Sequence, residues 1–521
     1  MTARLITVRR GTYADSLQLM SATSSMLGHE GVAWAAAVMG TPGNVADLAA
    51  EGFEDPQLAA AQANDLVIAV RAGSGELARK AVTAAEEALA SLAPGKASPG
   101  TGQGQTAGPA EPRSLEEAAA AIPGANVALI SVPGPYAAIE AHKALSAGLH
   151  TLLFSDNVSV ADEVALKRRA AGLGLLLMGP GAGTSFLGGT GLGFANVVRP
   201  GQVGVIAAAG TGAQEIMTLV HRWGSGISSV IGIGGRDLHD DVGGLMGDLA
   251  LSALAADQNT EVLVLVSKPP SPQVAARFLA HLGAKPAVAA LIGLGEVPAV
   301  AGSVRLAGSL EDAAAAAVSR LGLTPPDVGR GLAETAAKAA ARLEPTRVAV
   351  RGLFSGGTLC SEAMLLISKR LSPVYSNVPL HPGWARPVPA AAHACLDLGE
   401  EEYTRGHPHP MIDAHARVAH IAREAADPAT AVILLDVVLG HGSHPDPAAA
   451  LAPACEHALR NGRGPAVVAY VLGTGEDPQD RDRQERTLAG AGCIIAPTGA
   501  RAALVAAAIA ARRPKIAGEA P

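Results

Sequence analysis

The chain has 521 residues, 49 % of them hydrophobic and only 3 % aromatic, with a formal charge of −7 and a pI near 6.1. So few aromatics exclude recognition of nucleic acid by base stacking, and the acidic balance excludes nucleic acid or an anionic membrane as the electrostatic partner. The 4 cysteines (Cys360, Cys395, Cys455, Cys493) are scattered without CxxC or Cys/His metal spacing, which predicts reduced thiols, a cytoplasmic protein and no metal site.

A chain of this length predicts about three or four domains. The opening MTARLITVRR lacks the apolar core of a signal peptide, and the late apolar run Ala502 to Ala511 is too short to span a bilayer. Residues 1–92 read as a small α/β domain: strand Leu5 to Arg9, helix Ala14 to Leu27, strand Val32 to Met39, short helix Asn44 to Ala50, strand Asp65 to Arg71, helix Gly75 to Leu92. Residues 93–113, APGKASPGTGQGQTAGPAEPR, have the composition of a flexible linker. Residues 114–200 read as a Rossmann-like half sheet with strands at Val127 to Val132, Thr151 to Phe154 and Leu175 to Met178. The loops Val132 to Pro135, Phe154 to Asn157 and Gly179 to Thr184 then lie at one rim.

Residues 201–330 and 340–515 repeat strand–helix alternation, which predicts doubly wound parallel-sheet domains of Rossmann-like or flavodoxin-like type. The second has a long irregular stretch to about residue 412. Each opens in the same way. VGVIAAA runs through Gly210-Thr211-Gly212 into a helix, and VAVRGLF runs through Ser355-Gly356-Gly357-Thr358 into another. A helix start leaves backbone N–H groups unpaired and carries positive potential, so each turn suits an anion. Two such starts facing one pocket would hold one phosphate from both sides.

These motifs, together with VPGPYAAIEAHKALSAG, LLLMGPGAG, SSVIGIGGRDLHDDVGGLMGDL, TEVLVLVSKPPSP, YTRGHPHPMID, LLDVVLGHGSHPDPA and LGTGEDPQD, resemble the FdrA family over the whole chain except the linker. That family is similar to the succinyl-CoA synthetases, with α- and β-type ligase domains fused in one chain. The resemblance implies that Gly210-Thr211-Gly212 is the α-type and Ser355-Gly356-Gly357-Thr358 the β-type phosphate turn. It further implies carbamoyl transfer in allantoin (purine) breakdown, with oxalurate and phosphate converted to oxamate and carbamoyl phosphate. The chain would act with partner subunits, as a homo-oligomer, or both.

Departures from the synthetases sharpen this. They carry phosphate on a histidine late in the α-type domain. Here the corresponding LIGLGEVPAVAGSVRLAGSLEDAA is shortened, and no histidine lies between His281 and His381. Ser267 and Lys268 stand where a glutamate would steady the phosphohistidine. No nucleotide-grasping domain fits in residues 1–92, and the CoA-holding pattern is absent, so CoA is not expected. Lys268 is read as the catalytic cation, and Arg236 in the GGRD turn as a fork for a carboxylate or phosphate, with Asp237 beside it in substrate binding. Asp436 ends an apolar strand and His441 and His444 follow within one loop, where parallel sheets place functional groups. His444 is read in acid–base catalysis and His441 in substrate contact, with capping of the next helix by Asp446 the structural alternative. Arg405 to Pro410 is a second histidine cluster, whose prolines disfavour a metal site. Cys360, just inside a helix start, is a position for a thiol of lowered pKa, though no base pairs with it. The alternatives to a carbamoyltransferase subunit are an acyl-CoA synthetase-type ligase and a non-catalytic scaffold that organises partner subunits.

Overall fold

The computed structural model describes residues 3–14, 16–91, 112–294, 304–404, 408–460, 462 and 464–521. They divide into two units, 1–113 with 401–413, and 114–400 with 414–521. The expected linker, up to residue 111, and Arg405 to His407 of the second histidine cluster lie outside the described residues.

In the first unit, β1 (Ala3–Arg9), α1 (Ser16–Leu27), β2 (Val32–Met39), α2 (Pro42–Ala50), α3 (Pro56–Ala59), β3 (Leu66–Ala72) and α4 (Gly75–Ser91) follow the expected alternation. The sheet is antiparallel in the order β1-β3-β2, with Leu5 opposite Val70 and Ala36 opposite Ala69. β3 is central and both its faces are covered, hence its near-continuous apolar sequence LVIAVRA. Ile68 and Val70 pack with Ala22, Met26 and Ala85, while Val67 and Ala69 pack on the other face with Phe53 and Leu58. Thr41 and Asp55 cap α2 and α3, each followed by proline.

The second unit runs α5 (Leu115–Ala121), β4 (Val127–Ile130), α6 (Gly134–Ser146), β5 (His150–Leu153), α7 (Val160–Leu173), β6 (Leu177–Met178), β7 (Thr184–Leu187), β8 (Thr190–Gly193), β9 (Pro200–Ala207), α8 (Gly210–Arg222), β10 (Ile227–Gly232), α9 (Leu245–Ala256), β11 (Val262–Ser267), α10 (Pro272–His281), β12 (Ala287–Leu291), β13 (Val304–Leu306), α11 (Leu310–Arg320), α12 (Leu332–Ala340), β14 (Ala349–Phe354), α13 (Gly357–Ser368), β15 (Val374–Tyr375) and β16 (His393–Asp397). After α14 (Glu401–Thr404), which belongs to the first unit, come α15 (His415–Ala426), β17 (Thr430–Val438), α16 (Pro447–Leu459), β18 (Ala466–Leu472), α17 (Arg481–Gly490), β19 (Ile494–Ala496) and α18 (Gly499–Ala510).

Three sheets result: β4-β5-β6, β13-β12-β11-β9-β10-β7-β8, and β15-β16-β14-β17-β18-β19. All their pairings are parallel except the hairpin β7–β8 and its junction with β10. The architecture is α/β with several parallel sheets, as the alternation predicts. Four features differ from expectation. The hairpin β7–β8, not among the expected elements, joins the following sheet. Ile130, Leu152 and Met178 share one core with Ile206, Leu265 and Phe278, so the boundary expected at residue 200 falls inside a continuous core. β15 and β16 lie within the stretch expected to be irregular, because strands this short carry no readable period and form where neighbours pair with them. Residues 401–413, expected in the last domain, belong with the first unit.

β9 and β14 are the internal strands that lead into α8 and α13. β9 is buried and apolar from Val203 on, and β14 is buried throughout, Arg351 included. α8 is buried on every side from Thr211 to His221, as is α18 from Ala500 to Ala510, where alanines permit close packing against α12 and α13.

Candidate active site

The geometry of α8 leaves donors free. Ala213 is the first residue whose amide bonds back, to the Ala209 carbonyl at 2.9 Å. The amides of Gly210, Thr211 and Gly212 take no partner among the described residues. α13 begins in the same way, with the Cys360 amide bonding back to Gly356 at 2.9 Å. The two starts touch: the Thr358 amide donates to Thr211 Oγ1 at 3.3 Å. Glycine is what allows this. A Cβ at Gly212 would stand 2.9 Å from Thr358 Cγ2, and one at Gly356 would stand 2.9 Å from Thr211 Cγ2.

The second turn already holds an anion, and it is the protein's own. Asp436 Oδ1 accepts from the Ser355 amide at 2.8 Å and from its hydroxyl at 3.1 Å, and Oδ2 accepts from the Gly356 amide at 2.7 Å. Arg417, buried, donates to the same carboxylate at 3.2 Å and to the Leu353 carbonyl at 3.0 Å. The expectation that Ser355, Gly356 and Thr358 offer free donors to a phosphate is therefore corrected. β17 runs beside β14 and places a carboxylate into the turn, and Thr211 occupies the Thr358 amide. The open donors belong to the first turn and to Gly357.

Sheet order explains which side chains surround them. β11 pairs with β9, so Lys268, the residue after β11, stands one strand from the first turn. β16 and β17 flank β14, so Asp397 and Asp436 stand on either side of the second turn. A Cβ at Gly357 would lie 2.3 Å from Asp397 Oδ2 and 2.7 Å from Lys268 Nζ, which puts both groups at the mouth of α13. Lys268 Nζ is 3.9 Å from Asp397 Oδ2 and 4.0 Å from Glu400 Oε1. Burial pushes the Asp397 carboxyl up to about 6, against the pull of Lys268. Asp397 was missed in the sequence, although an acid ending the apolar run ACLDLG is the signal that would have found it.

Arg236 and Asp237 do not join this group. Arg236 Nε donates to Glu163 at 2.8 Å and its Nη2 to the Val158 carbonyl at 2.8 Å. Asp237 is fully buried; it accepts from Lys167 Nζ at 2.8 Å and from the Gly247 amide at 2.9 Å, and Lys167 also holds Glu163 at 2.8 Å. The GGRD turn is thus a clamp between α7 and α9, which replaces the expected substrate contact. His444 Nδ1 accepts from the Asp446 amide at 2.9 Å, and the His441 backbone pairs with Ala195. Among the described hydrogen bonds neither imidazole reaches the glycine turns or Lys268. Asp446 does cap α16. Cys360 is fully buried, and burial raises its thiol well above the ordinary range, reversing the expected lowering. Asp477 accepts from Asn196 Nδ2 at 2.8 Å and from the Val197 amide at 2.7 Å, and Asp480 caps α17.

The helices of the two large sheets exchange carboxylates. Glu215 of α8 accepts from the Gly499 amide at the start of α18 at 3.3 Å and from the Tyr470 hydroxyl at 2.5 Å. Glu362 of α13 accepts from the Leu310 amide at the start of α11 at 2.6 Å. Each carboxyl fills the mouth of a helix of the other sheet, which fixes α8 against α13 and so sets the distance between the turns. Burial pushes Glu215 up to about 7 and Glu362 well above the usual carboxylate range.

Residues 353–509 match the family described as CoA-ligase, and residues 1–107 match the family described as AllF, heavy metal-associated domain. Those first 107 residues contain no cysteine and a single histidine, His29. The uncharacterised protein YahF of Escherichia coli is 38 % identical over 511 residues, covering 96 % of this chain and 97 % of its own length. The subunit alpha 2 of an ADP-forming succinate–CoA ligase from Archaeoglobus fulgidus is 32 % identical over 225 residues, covering 40 % of this chain and 77 % of its own length. Among solved structures, the apo dinucleotide-forming acetyl-coenzyme A synthetase 1 of Ca. Korarchaeum cryptofilum aligns at 16 % identity with a TM-score of 0.28, over 78 % of this chain and 86 % of that one. No helix among the described residues is long and apolar enough to cross a membrane.

Proposed function

We propose, from the premise that this chain belongs to the family of Escherichia coli YahF and is built on succinate–CoA ligase-type domains, that it is a carbamoyltransferase subunit that uses phosphate as a substrate. The reaction is phosphorolysis of oxalurate, or of a related carbamoyl donor, to oxamate and carbamoyl phosphate in allantoin-related metabolism. The FdrA resemblance and the match to the AllF family support that setting. The observation that carries the reading is a helix start with three amides open, Gly210 to Gly212, one strand from Lys268, in a chain whose shortened loop holds no histidine.

In this reading the first turn and the Gly357 amide hold phosphate, and Lys268 neutralises charge that develops at the carbamoyl group. Asp436 serves as a permanent anion that fixes the second turn. Contacts to the donor's own carboxylate come from partner subunits. An acyl-CoA ligase is the second reading, favoured by the CoA-ligase match at residues 353–509; it requires a phosphate-carrying residue that the shortened loop does not supply. A non-catalytic scaffold is the third. Lys268→Met in the assembled complex tests the first: phosphate-dependent turnover should fall by about 10²–10³ with the fold intact. Unchanged kinetics would remove Lys268 from the mechanism.

A further inference from the structure

One acid at this site is used by nothing described above. Asp397 ends β16, and its side chain is only 5 % exposed. The chain holds it firmly: Asn377 donates to the Asp397 carbonyl at 2.9 Å and accepts from its amide at 3.0 Å, and Asp397 Oδ1 accepts from the Gly399 amide at 3.0 Å. The other oxygen, Oδ2, accepts no hydrogen bond among the described residues. It faces Lys268 Nζ across 3.9 Å, too far for a hydrogen bond and close enough to share a small ligand between them. A Cβ on Gly357, the residue whose amide is one of the open donors, would lie 2.3 Å from it.

Resting on the function proposed above, we infer that Asp397 carries the proton of the phosphorolysis. Its Oδ2 removes the proton of the attacking hydrogen phosphate and returns it to the departing nitrogen. A phosphate oxygen bonds to the ureido carbon, and the bond from that carbon to the oxamate nitrogen breaks. The oxalurate monoanion and the hydrogen phosphate dianion become the carbamoyl phosphate dianion and the oxamate monoanion. The proton lost by phosphate is the one gained by the oxamate nitrogen, so hydrogen and charge are equal on both sides. The nitrogen is a poor leaving group until protonated, and the phosphate must lose its proton on forming the anhydride, so one relay serves both needs. Lys268, Glu400, Asp436 and Cys360 are the titratable groups that face this carboxyl. Its position near 6 lets it be ionised at neutral pH yet accept a proton within the catalytic cycle.

The test uses the complete complex with oxalurate and phosphate between pH 5 and 9, comparing wild type with Asp397→Asn and Asp397→Glu. Wild-type formation of carbamoyl phosphate is measured first; its absence would remove both the function and this role. With activity present, Asp397→Asn should lower kcat by about 10²-fold or more and leave the phosphate KM within about threefold. The wild-type rate should fall below about pH 6, and that limb should vanish in Asp397→Asn, over and above phosphate's own ionisation. Asp397→Glu should recover part of kcat with the limb moved. A wild-type kcat in Asp397→Asn, or a lowered kcat with the acid limb unchanged, would overturn the role while leaving the carbamoyltransferase function standing.

Discussion

Removing Asp436 should vacate the second turn and let an external anion take its place. In Asp436→Ala the amides of Ser355 and Gly356 lose their acceptor, and Arg417, 3 % exposed at its side chain, loses its counter-charge. Breaking a buried pair from one side costs about 3–5 kcal/mol, and each stranded donor about 1–3 kcal/mol. Arg417 keeps its bonds to backbone carbonyls, so the lower ends apply, and the pair with the two stranded amides totals about 5 kcal/mol, a large share of the ~5–15 kcal/mol that a domain holds. Urea unfolding followed by Trp223 and Trp384, both in the second unit, reads this once Trp34 of the first unit is replaced by Phe. Phosphate should then stabilise Asp436→Ala more than it stabilises wild type, approaching ~2.7 kcal/mol of extra gain at a concentration 100 times Kd. A loss below about 1 kcal/mol, or equal stabilisation of both proteins by phosphate, would refute the claim that Asp436 is the resident anion.

Glu215 makes stability depend on pH. Its folded pKa of about 7 lies above the ordinary 4.5, so the native state holds a proton that the unfolded state has lost. Stability present below pH 4.5 is thus lost as pH rises through about 7, by on the order of 3 kcal/mol, and Glu215→Gln should flatten most of that fall in urea titrations from pH 5 to 8. Gly357→Ala should lower phosphate-dependent turnover by at least about tenfold, because its methyl would meet Asp397 Oδ2 at 2.3 Å, while helix propensity keeps the stability change near ~1 kcal/mol. Steady-state kinetics and urea melts on the same preparation check both halves.

The glycine turns were legible because each interrupts an apolar strand just before helical spacing begins, and that punctuation is local. What fills the second turn was not, since Asp436 arrives from a strand 80 residues further along and only sheet pairing brings it there. Asp397 lay hidden for a related reason. Its strand sits in a proline-rich stretch without periodicity and exists because β14 and β15 pair with it. Arg236 reads as an available guanidinium in a glycine turn, and no local pattern reveals that Glu163, 73 residues earlier, already holds it. His441 and His444 follow a strand end in sequence, yet their loop turns back on Ala195 and Asp446. Local chemistry thus marked where a site would form, while the identity of its free groups depended on contacts between distant segments.

The most direct measurement follows labelled phosphate through the complete complex in the presence of oxalurate. Label should appear in carbamoyl phosphate at the rate of oxamate release, with none retained on the protein after denaturation in alkali, where phosphohistidine survives. Label held on this chain, formed from ATP or phosphate at a rate that matches turnover, would contradict the account and restore the ligase mechanism.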